Sequence, residues 1–450
     1  MSSAGSRPDA VGVGLIGLGT VGSGVVEVLR RNARVIEKRL GFPVRLVRIA
    51  DLDTRRERDV DLGGVRFDAD ADGLIDDPQV QIVLELVGGY DAARRLILRT
   101  IEAGKHVVTA NKALLALHGK QIFDAAARRG VDVAFEASVG GGIPILRSVR
   151  EGLAANRIRS LHGILNGTTN FVLTEMERSG EAVEVVVKRA QDLGYAEADP
   201  SLDVDGIDAA HKLTLLASMA YGAELTFKQI PTEGIRGLTP VDFDAAKELG
   251  YRIKLLGIAK AHADGDPEGV ARIEVRVHPT MIPASSLLAS VDGAMNAVAV
   301  TGDAVGRTLF YGAGAGSLPT ASAVVADVME IAREIRRGSA GRVAPLSYMP
   351  DALEPKPLVP LGELSGPSYL RFTAVDRPGV LSQISGVLGE NGIGIASVIQ
   401  KGRGGGAEAV PVLVRTHTAR EVAVRRALDT IDRLPDVTAP TVLIRIEEDL

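Results

Sequence analysis

The chain has 450 residues, of which 52 are basic and 57 acidic, so its formal net charge is −5. This length predicts two to four domains of roughly 100–200 residues, and balanced, interspersed charges argue against nucleic acid as a partner. The chain has no cysteine, which excludes disulfides, cysteine-bound zinc, iron–sulfur clusters and a thiolate nucleophile.

The first ten residues, MSSAGSRPDA, are polar and lack the apolar stretch of a signal peptide. Apolar runs further along, such as residues 11–18, are far shorter than the ~20 residues that span a bilayer. We therefore expect a cytoplasmic protein with no membrane partner.

A glycine-rich turn follows the first predicted strand, residues 11–16, and precedes a predicted helix. Further strand patterns at residues 44–50, 82–87 and 106–109 alternate with helical ones. This alternation is typical of βαβ units, so residues 1–137 are predicted to form a Rossmann-like, doubly wound parallel sheet of the α/β class. Such a turn holds the pyrophosphate of a dinucleotide on backbone N–H groups. Its residues are Gly17, Leu18, Gly19, Thr20, Val21 and Gly22.

Two pairs of residues after the second strand bear on which nicotinamide cofactor is used. Asp51 or Asp53 suits the ribose 2′-hydroxyl of NAD, whereas Arg55 and Arg56 suit the 2′-phosphate of NADP. All four are also ordinary loop residues, so the sequence leaves NAD and NADP open.

A lysine, Lys112, lies just past the fourth strand in the sequence Thr-Ala-Asn-Lys. Ligands of open α/β sheets bind outside the carboxyl ends of the strands, so this lysine is placed to face the nicotinamide and the reacting oxygen. The alternative is a solvated surface lysine, which is the common state of lysines.

An acidic stretch lies in the next predicted domain, residues 138–319, which mixes long helices with strand-like segments and is interpreted as α+β. Asp203, Asp205 and Asp208 follow the segment GYAEADP, and Lys212 lies one helical turn after Asp208. Clustered carboxylates with one lysine suit an amino-acid substrate, whose ammonium requires anionic partners. One alternative is a solvated helix start. The other is a calcium-binding loop, but the proline and the missing central glycine do not fit the EF-hand spacing.

Zinc-dependent alcohol chemistry is not expected, because the chain has no cysteine and only seven scattered histidines. His211, beside Lys212, is expected to lie on a helix surface rather than to bind a metal. The reaction class that remains is a metal-free hydride transfer between a carbonyl and an alcohol, in which a lysine acts as the acid–base.

The last third of the chain is predicted to hold three parts. A helix at residues 320–337 is expected to pack back onto the first domain, and residues 338–367, rich in proline, form a linker. Residues 368–450 show the order β-α-β-β-α-β, which is the ferredoxin-like unit.

Several motifs together resemble the homoserine dehydrogenase family over nearly the whole chain. They are the glycine turn, TANKALLA at 109–116, FEASVGGGIPI at 135–145, GILNGTTNF at 163–171, GYAEADP, DAAHK at 208–212 and FYGAGAGSLPTASAV. The resemblance implies interconversion of L-homoserine and L-aspartate 4-semialdehyde with NAD or NADP, in threonine, methionine and isoleucine biosynthesis. Two alternatives are another amino-acid oxidoreductase on the same fold and a non-catalytic amino-acid sensor; the presence of both lysines favours the enzyme.

The resemblance also implies roles for particular residues. Lys112 would contact cofactor and substrate, and Lys212 would give the proton to the carbonyl oxygen. The substrate would be bound by Glu197 and Asp208, with Asp203 in support, and the cofactor would also be lined by Gly194 and Gly316. A monovalent cation, usually sodium, would be held mostly by backbone carbonyls of Glu136, Val139, Gly141 and Ile143.

Residues 368–450 resemble an ACT domain, a small-molecule sensor that often pairs with a copy on another subunit. A homodimer or homotetramer is therefore expected. The helix N-terminus at residues 376–379 offers N–H donors to a carboxylate. Threonine is the expected effector there, with methionine second and no ligand as the third alternative.

Overall fold

A computed structural model describes residues 9–263, 270–400 and 409–450. The first eight residues of the polar start therefore lie outside the described residues. The chain divides into two compact units. Among the described residues, the first comprises 9–159, 211–229 and 296–356, and the second comprises 160–210, 230–263, 270–295, 357–400 and 409–450.

Strands and helices alternate along much of the described chain. The strands are β1 (Val11–Ile16), β2 (Val44–Ala50), β3 (Arg66–Asp68), β4 (Ile82–Glu85), β5 (His106–Thr109), β6 (Val133–Ala134), β7 (Ile158–Ile164), β8 (Tyr251–His262), β9 (Arg272–Pro283), β10 (Met295–Gly302), β11 (Gly306–Ala313), β12 (Ser365–Gly366), β13 (Ser368–Val375), β14 (Ile395–Gln400), β15 (Ala409–Thr416), β16 (Ala419–Arg420) and β17 (Val437–Ile446). The helices are α1 (Thr20–Arg31), α2 (Ala33–Leu40), α3 (Ala71–Asp76), α4 (Asp91–Glu102), α5 (Lys112–Arg129), α6 (Ile145–Arg147), α7 (Gly167–Ser179), α8 (Val183–Asp192), α9 (Ser201–Val204), α10 (Ile207–Tyr221), α11 (Pro240–Glu248), α12 (Ser317–Arg337), α13 (Val380–Glu390) and α14 (Glu421–Ile431).

The first unit is built on a six-stranded parallel sheet in the order β3-β2-β1-β4-β5-β6. Every residue of β1 is buried, as expected for a central strand that is covered on both faces. One face packs with α1 and α12, and the other packs with α3 and α4. The predicted doubly wound parallel sheet is confirmed.

Helix α12 belongs to this first unit although it comes late in the chain. Its residues Ala321, Val324 and Val328 share one apolar core with Val25 of α1. The two helices approach closely, because a Cβ added at Gly24 would lie 2.6 Å from the Ser317 hydroxyl. Glycine therefore permits this helix contact.

The second unit contains a sheet in which neighbouring strands follow the order β7-β8-β9-β17-β13-β15-β14. Strands β8 and β9 form a long antiparallel pair, from Tyr251 opposite Pro283 to His262 opposite Arg272. The C-terminal part has the order β13-α13-β14-β15-α14-β17 apart from the short β16, so the predicted β-α-β-β-α-β unit is confirmed. Its last strand, β17, joins β9 in parallel, with Arg445 opposite Thr280.

Among its contacts, the proline-rich segment 338–367 makes two isolated β-bridges. Glu354 forms a bridge with Ala223 in the first unit, and Leu358 forms one with Ile273 in the second. The domain boundaries proposed from the sequence stay predictions. Within the described ranges, no helix is long and apolar enough to cross a membrane.

Candidate active site

The glycine turn between β1 and α1 requires glycine at two positions. Gly17 has a φ of +99°, and a Cβ there would lie 2.6 Å from the Leu86 carbonyl oxygen. A Cβ at Gly22 would lie 2.2 Å from the Gly17 carbonyl oxygen. At Gly19, an added Cβ would meet no described atom within 4 Å. The turn is thus tight against the protein and open at Gly19, as close approach of a phosphate requires.

Gly316 lies beside this turn. It precedes α12 with a φ of +117°, and the hydroxyl of the next residue, Ser317, donates to the Thr20 carbonyl oxygen at 2.8 Å. The structure therefore brings Gly316 and the glycine turn together within the first unit. Gly194 belongs to the second unit, where it follows α8 with a φ of +77°.

Asp51, at the end of β2, is tied to the glycine turn. Its carboxylate accepts the Leu18 N–H at 2.6 Å and pairs with Arg58 at 3.3 Å. Arg58 also donates to the carbonyl oxygens of Leu18 and Asp53, each at 2.7 Å, and stacks on the Phe67 ring. Arg58 was not anticipated from the sequence, and it braces the loop that carries Asp51 and Asp53.

The other three residues considered for cofactor choice, Asp53, Arg55 and Arg56, do not contact the glycine turn as Asp51 does in the hydrogen bonds described. Asp53 accepts the backbone N–H groups of Arg55 and Arg56 at 3.2 and 3.1 Å. The side chains of both arginines are exposed. This geometry leaves the choice between NAD and NADP open.

Lys112 is the first residue of α5, directly after the helix cap Asn111. The sequence predicts a helix near residues 119–129, and in the structure this helix begins earlier, at Lys112. Asn111 Oδ1 accepts the Leu114 N–H, and the Asn111 N–H donates to the Thr109 hydroxyl at 3.0 Å. That hydroxyl in turn donates to buried Glu85 at 2.7 Å. Lys112 is thus fixed at the carboxyl edge of the sheet.

Glu85 was missed by the sequence reasoning. It ends β4, is only 1% exposed, and burial raises the pKa of its carboxyl. An acid within the apolar run IVLELV was the signal, because a buried carboxyl is costly unless it is hydrogen-bonded.

Lys212 lies on α10 and is 8% exposed, which is unusual for a lysine. The neighbouring His211 is also buried, and its ring centroid lies 4.4 Å from that of Phe227. The expectation that His211 lies on the helix surface is therefore wrong, because the segment after α10 returns to cover it.

The substrate-binding candidates Asp203 and Asp208 are brought together by Asn166. The Asn166 amide donates to Asp203 at 2.6 Å and to Asp208 at 2.7 Å. Its own oxygen accepts the Thr169 N–H at 2.7 Å and so caps α7. Asp205, in contrast, pairs with Arg236 at 2.5 Å.

Asn166 was also missed. The signal was an asparagine between a strand and a helix, in the sequence LNGTT, which is typical of an N-cap. The cap could have been predicted from that pattern. The contacts with Asp203 and Asp208 could not, because they join residues 37 and 42 positions apart.

Glu197 lies in the loop between α8 and α9 with an exposed side chain. The loop is held through its backbone, since Gln191 donates to the carbonyl oxygens of Glu197 and Ala198, each at 3.1 Å. Tyr195 packs on Phe171, with ring centroids 4.8 Å apart. The Glu197 carboxylate is thus at the surface of the second unit, unlike the buried Asp208.

The stretch predicted to hold a cation begins at Glu136, which is 5% exposed. Its carboxylate accepts the N–H groups of Leu146 and Arg147 at 2.9 and 2.8 Å. Burial, followed by the charge of Asp327, raises the pKa of Glu136 to about 7. At Gly141, which has a φ of +53°, a Cβ would lie 2.5 Å from the Gly314 carbonyl oxygen.

Val139 and Ile143, the other two residues of this stretch, are buried. Over the described part of the chain, no group of three or more His, Cys, Asp or Glu side chains could hold a metal ion.

Family models match three stretches of the chain. The model described as homoserine dehydrogenase matches residues 144–329, and the one described as homoserine dehydrogenase, NAD binding domain, matches residues 17–136. A third, for the ACT domain, matches residues 368–433.

Curated relatives and solved structures agree with these matches. The homoserine dehydrogenase of Pseudomonas aeruginosa is 48% identical over 97% of this chain and 99% of its own length. The homoserine dehydrogenase of Neisseria gonorrhoeae is 46% identical over 97% of this chain and 98% of its own length. The crystal structure of a homoserine dehydrogenase from Thiobacillus denitrificans is similar with a TM-score of 0.90 and 49% identity, covering 98% of each chain.

Proposed function

Because the chain belongs to the homoserine dehydrogenase family, we propose that Lys212 and Lys112 are the lysines that carry out its reaction. That reaction interconverts L-aspartate 4-semialdehyde and L-homoserine with a nicotinamide cofactor. The observation that carries the proposal is the burial of Lys212 on α10, one turn after Asp208.

In the reducing direction, Lys212 gives a proton to the aldehyde oxygen while the carbonyl carbon receives the hydride. The C=O double bond becomes a C–O single bond, with new C–H and O–H bonds. The cofactor supplies the hydride when it is bound. Lys212 regains its proton from solvent, and in the reverse direction it accepts the hydroxyl proton of homoserine.

Asp208 and Asp203 are proposed to bind the substrate ammonium. The Asn166 amide holds both carboxylates at hydrogen-bond distance, so their negative charges are fixed before substrate arrives. Glu197 is proposed as a further anionic partner, from a loop whose backbone is anchored by Gln191.

Lys112 is proposed to contact both cofactor and substrate. Its support is the chain of hydrogen bonds from Glu85 through Thr109 to Asn111, which fixes the first turn of α5 at the carboxyl edge of the sheet. The glycine turn, Gly316 and Gly194 are proposed to line the cofactor, and either NAD or NADP remains compatible with the loop that Arg58 braces.

A monovalent cation, sodium, is proposed at the stretch from Glu136 to Ile143. The donors would be the backbone carbonyls of Glu136, Val139, Gly141 and Ile143, and oxygen donors suit a hard cation. The Glu136 carboxylate already caps the start of α6, which supports a role for its carbonyl rather than its side chain.

Assembly and regulation complete the proposal. We propose a homodimer or homotetramer in the cytoplasm, with threonine as an effector that acts through the C-terminal ACT domain. Methionine is the second effector candidate.

The test is a spectrophotometric assay of homoserine oxidation with NAD and with NADP separately. Turnover with either cofactor, and its loss in the variant Lys212→Ala with intact folding, would support the proposal. A fully folded protein that oxidises homoserine with neither NAD nor NADP would overturn the proposal.

A further inference from the structure

A lysine is buried against the helix that Asn166 caps. Lys254 lies in β8 and is 1% exposed. Its Nζ donates to the Val291 carbonyl oxygen at 2.5 Å, to Asn170 Oδ1 at 3.3 Å and to Asp292 Oδ1 at 3.4 Å. An ammonium group has three N–H donors, so these acceptors match its full capacity. Burying a lysine is costly unless its charge is paired and hydrogen-bonded, and the reaction proposed above gives Lys254 no role.

Asn170, which accepts one of these hydrogen bonds, also holds the segment 291–295 that leads into β10. Its amide nitrogen donates to three carbonyl oxygens at 3.0, 2.9 and 3.2 Å, those of Val291, Gly293 and Met295. One turn further along α7, the Thr174 hydroxyl accepts the Gly293 N–H at 3.1 Å. Lys254 and Asn170 share the Val291 carbonyl oxygen, so together they fasten this segment to α7.

The same side of α7 leads to the candidate substrate carboxylates. Asn170 lies four residues after Asn166, so the two are neighbours along one face of the helix. The Asn170 N–H donates to the Asn166 carbonyl oxygen at 3.2 Å, and the Asn166 amide donates to Asp203 and Asp208. A shift of the first turn of α7 would therefore move the Asn166 amide relative to both carboxylates.

Charged groups of both signs lie around Lys254 on the elements packed against it. They are Glu177 and Arg178 of α7, Arg252 of β8 and Asp292 of the segment 291–295. On β9 the residue opposite Lys254 is the neutral Thr280. Burial, followed by the charge of Arg252, lowers the pKa of Lys254 to about 8. Because a neutral amine has only two N–H donors, loss of the proton would leave one of the three acceptors without a hydrogen.

We propose that Lys254 is a positioning residue for the dehydrogenase reaction, whose ammonium group holds α7 where Asn166 can fix the substrate carboxylates. Lys254 acts through Asn170 and Asn166 rather than on the reacting atoms. Its loss should therefore weaken substrate binding more than it slows the chemical step. The inference rests on the proposed function, in which Asp203 and Asp208 bind the substrate ammonium.

Steady-state kinetics of Lys254→Met, which keeps an unbranched side chain but has no charge and no donor, measure this effect. We expect KM for homoserine to rise about 3- to 30-fold, the range for residues that act on a site through their neighbours, and kcat to change much less. Leu255→Ala is the matched control, because Leu255 is 4% exposed and its side chain points to the opposite face of β8. This control should lose stability and keep a KM near the wild-type value.

A double-mutant cycle tests whether Lys254 acts through Asn166. The variant Asn166→Ser removes the amide that holds both carboxylates and keeps a residue able to cap α7. If Lys254 acts by placing that amide, its loss has little left to change in this background. We therefore expect the double variant to have a KM less than about twofold above that of Asn166→Ser alone.

The pH dependence of KM separates positioning by the ammonium group from a general packing defect. Titration of homoserine and of Lys212 affects wild type and Lys254→Met alike, so the ratio of their KM values isolates the proton of Lys254. We expect this ratio to fall towards one as the pH rises through the Lys254 pKa of about 8, because the wild-type lysine then becomes neutral as well. A packing defect would give the same ratio at every pH.

Three results would overturn the inference: a wild-type KM in folded Lys254→Met, a KM ratio that does not vary with pH, or a full Lys254→Met effect in the Asn166→Ser background. If Lys254→Met does not fold, Lys254→Gln, which is uncharged but keeps an amide donor, is measured in the same way. A wild-type KM in Asn166→Ser would remove the binding role of the carboxylates and this inference with it. A raised KM in Asn166→Ser but not in Lys254→Met would remove only the role of Lys254 and leave the proposed function standing.

Discussion

Replacing Asn166 tests whether one amide organises the substrate carboxylates. Its nitrogen donates to Asp203 and Asp208, and its oxygen caps α7. Serine is about as good an N-cap as asparagine, but it cannot supply the two amide hydrogens. The variant Asn166→Ser therefore removes the link between the carboxylates and keeps the cap, whereas Asn166→Ala removes both.

The expected magnitudes follow from these contacts. A hydrogen bond to a charged group contributes about 1.5–3 kcal/mol, so loss of the fixed carboxylate positions should raise KM for homoserine about 10- to 100-fold in both variants. Loss of the cap should lower the unfolding free energy of Asn166→Ala by about 1 kcal/mol relative to Asn166→Ser.

Steady-state kinetics and denaturant unfolding on the same preparations measure both effects. Asn156→Ser, which alters an asparagine of the first unit, is the matched control and should leave KM near the wild-type value. If both Asn166 variants keep the wild-type KM while Asn166→Ala alone loses stability, Asn166 is only a helix cap and the reasoning fails.

Three further predictions concern catalysis, binding and pH. Lys212→Ala should lower kcat by about 10²–10⁴-fold, the range of a general acid–base, with a much smaller change in KM; near-normal turnover by the folded variant would contradict its role. Glu197→Gln should raise KM for homoserine if the carboxylate binds the ammonium, and unchanged kinetics would make Glu197 an ordinary exposed loop residue. Burial lowers the pKa of His162 from 6.5 to about 4, so the unfolded chain binds more protons in that window and stability should fall as the pH drops from about 6.5 towards 4. His162→Gln should remove up to about 3 kcal/mol of this pH dependence, as measured by urea unfolding across that range, and an unaltered difference between pH 7 and pH 4 would refute it.

The parallel sheet of the first unit was predictable because its buried strands are short apolar runs that alternate with helical patterns. β1 and β5 were predicted with their observed bounds, since fully buried strands appear as short apolar runs between glycines and helices. β8 was missed. Its Lys254 is 1% exposed and donates to the Val291 carbonyl oxygen at 2.5 Å. A charged residue therefore interrupts the apolar pattern by which a buried strand is identified in sequence.

The candidate site was predictable only in part. Individual residues could be chosen by motif, but their surroundings depend on contacts between distant parts of the chain. His211 is buried because Phe227 returns to cover it, and Asp203 differs from Asp205 because the first meets Asn166 and the second meets Arg236. Each of these partners lies 16 to 37 positions along the chain from the residue that it contacts. No local sequence pattern specifies such pairs.

The pairing of β17 with β9 has a consequence for how the protein is made. β17 follows every other strand of the second unit in the chain, so it leaves the ribosome after all of them. Until then, the edge of β9 that will receive Arg445 and Ile446 exposes unpaired N–H and C=O groups, which invite pairing with other chains. A tag or fusion placed directly after β17 would lie next to this junction, and expression yield should be more sensitive there than at the polar start of the chain.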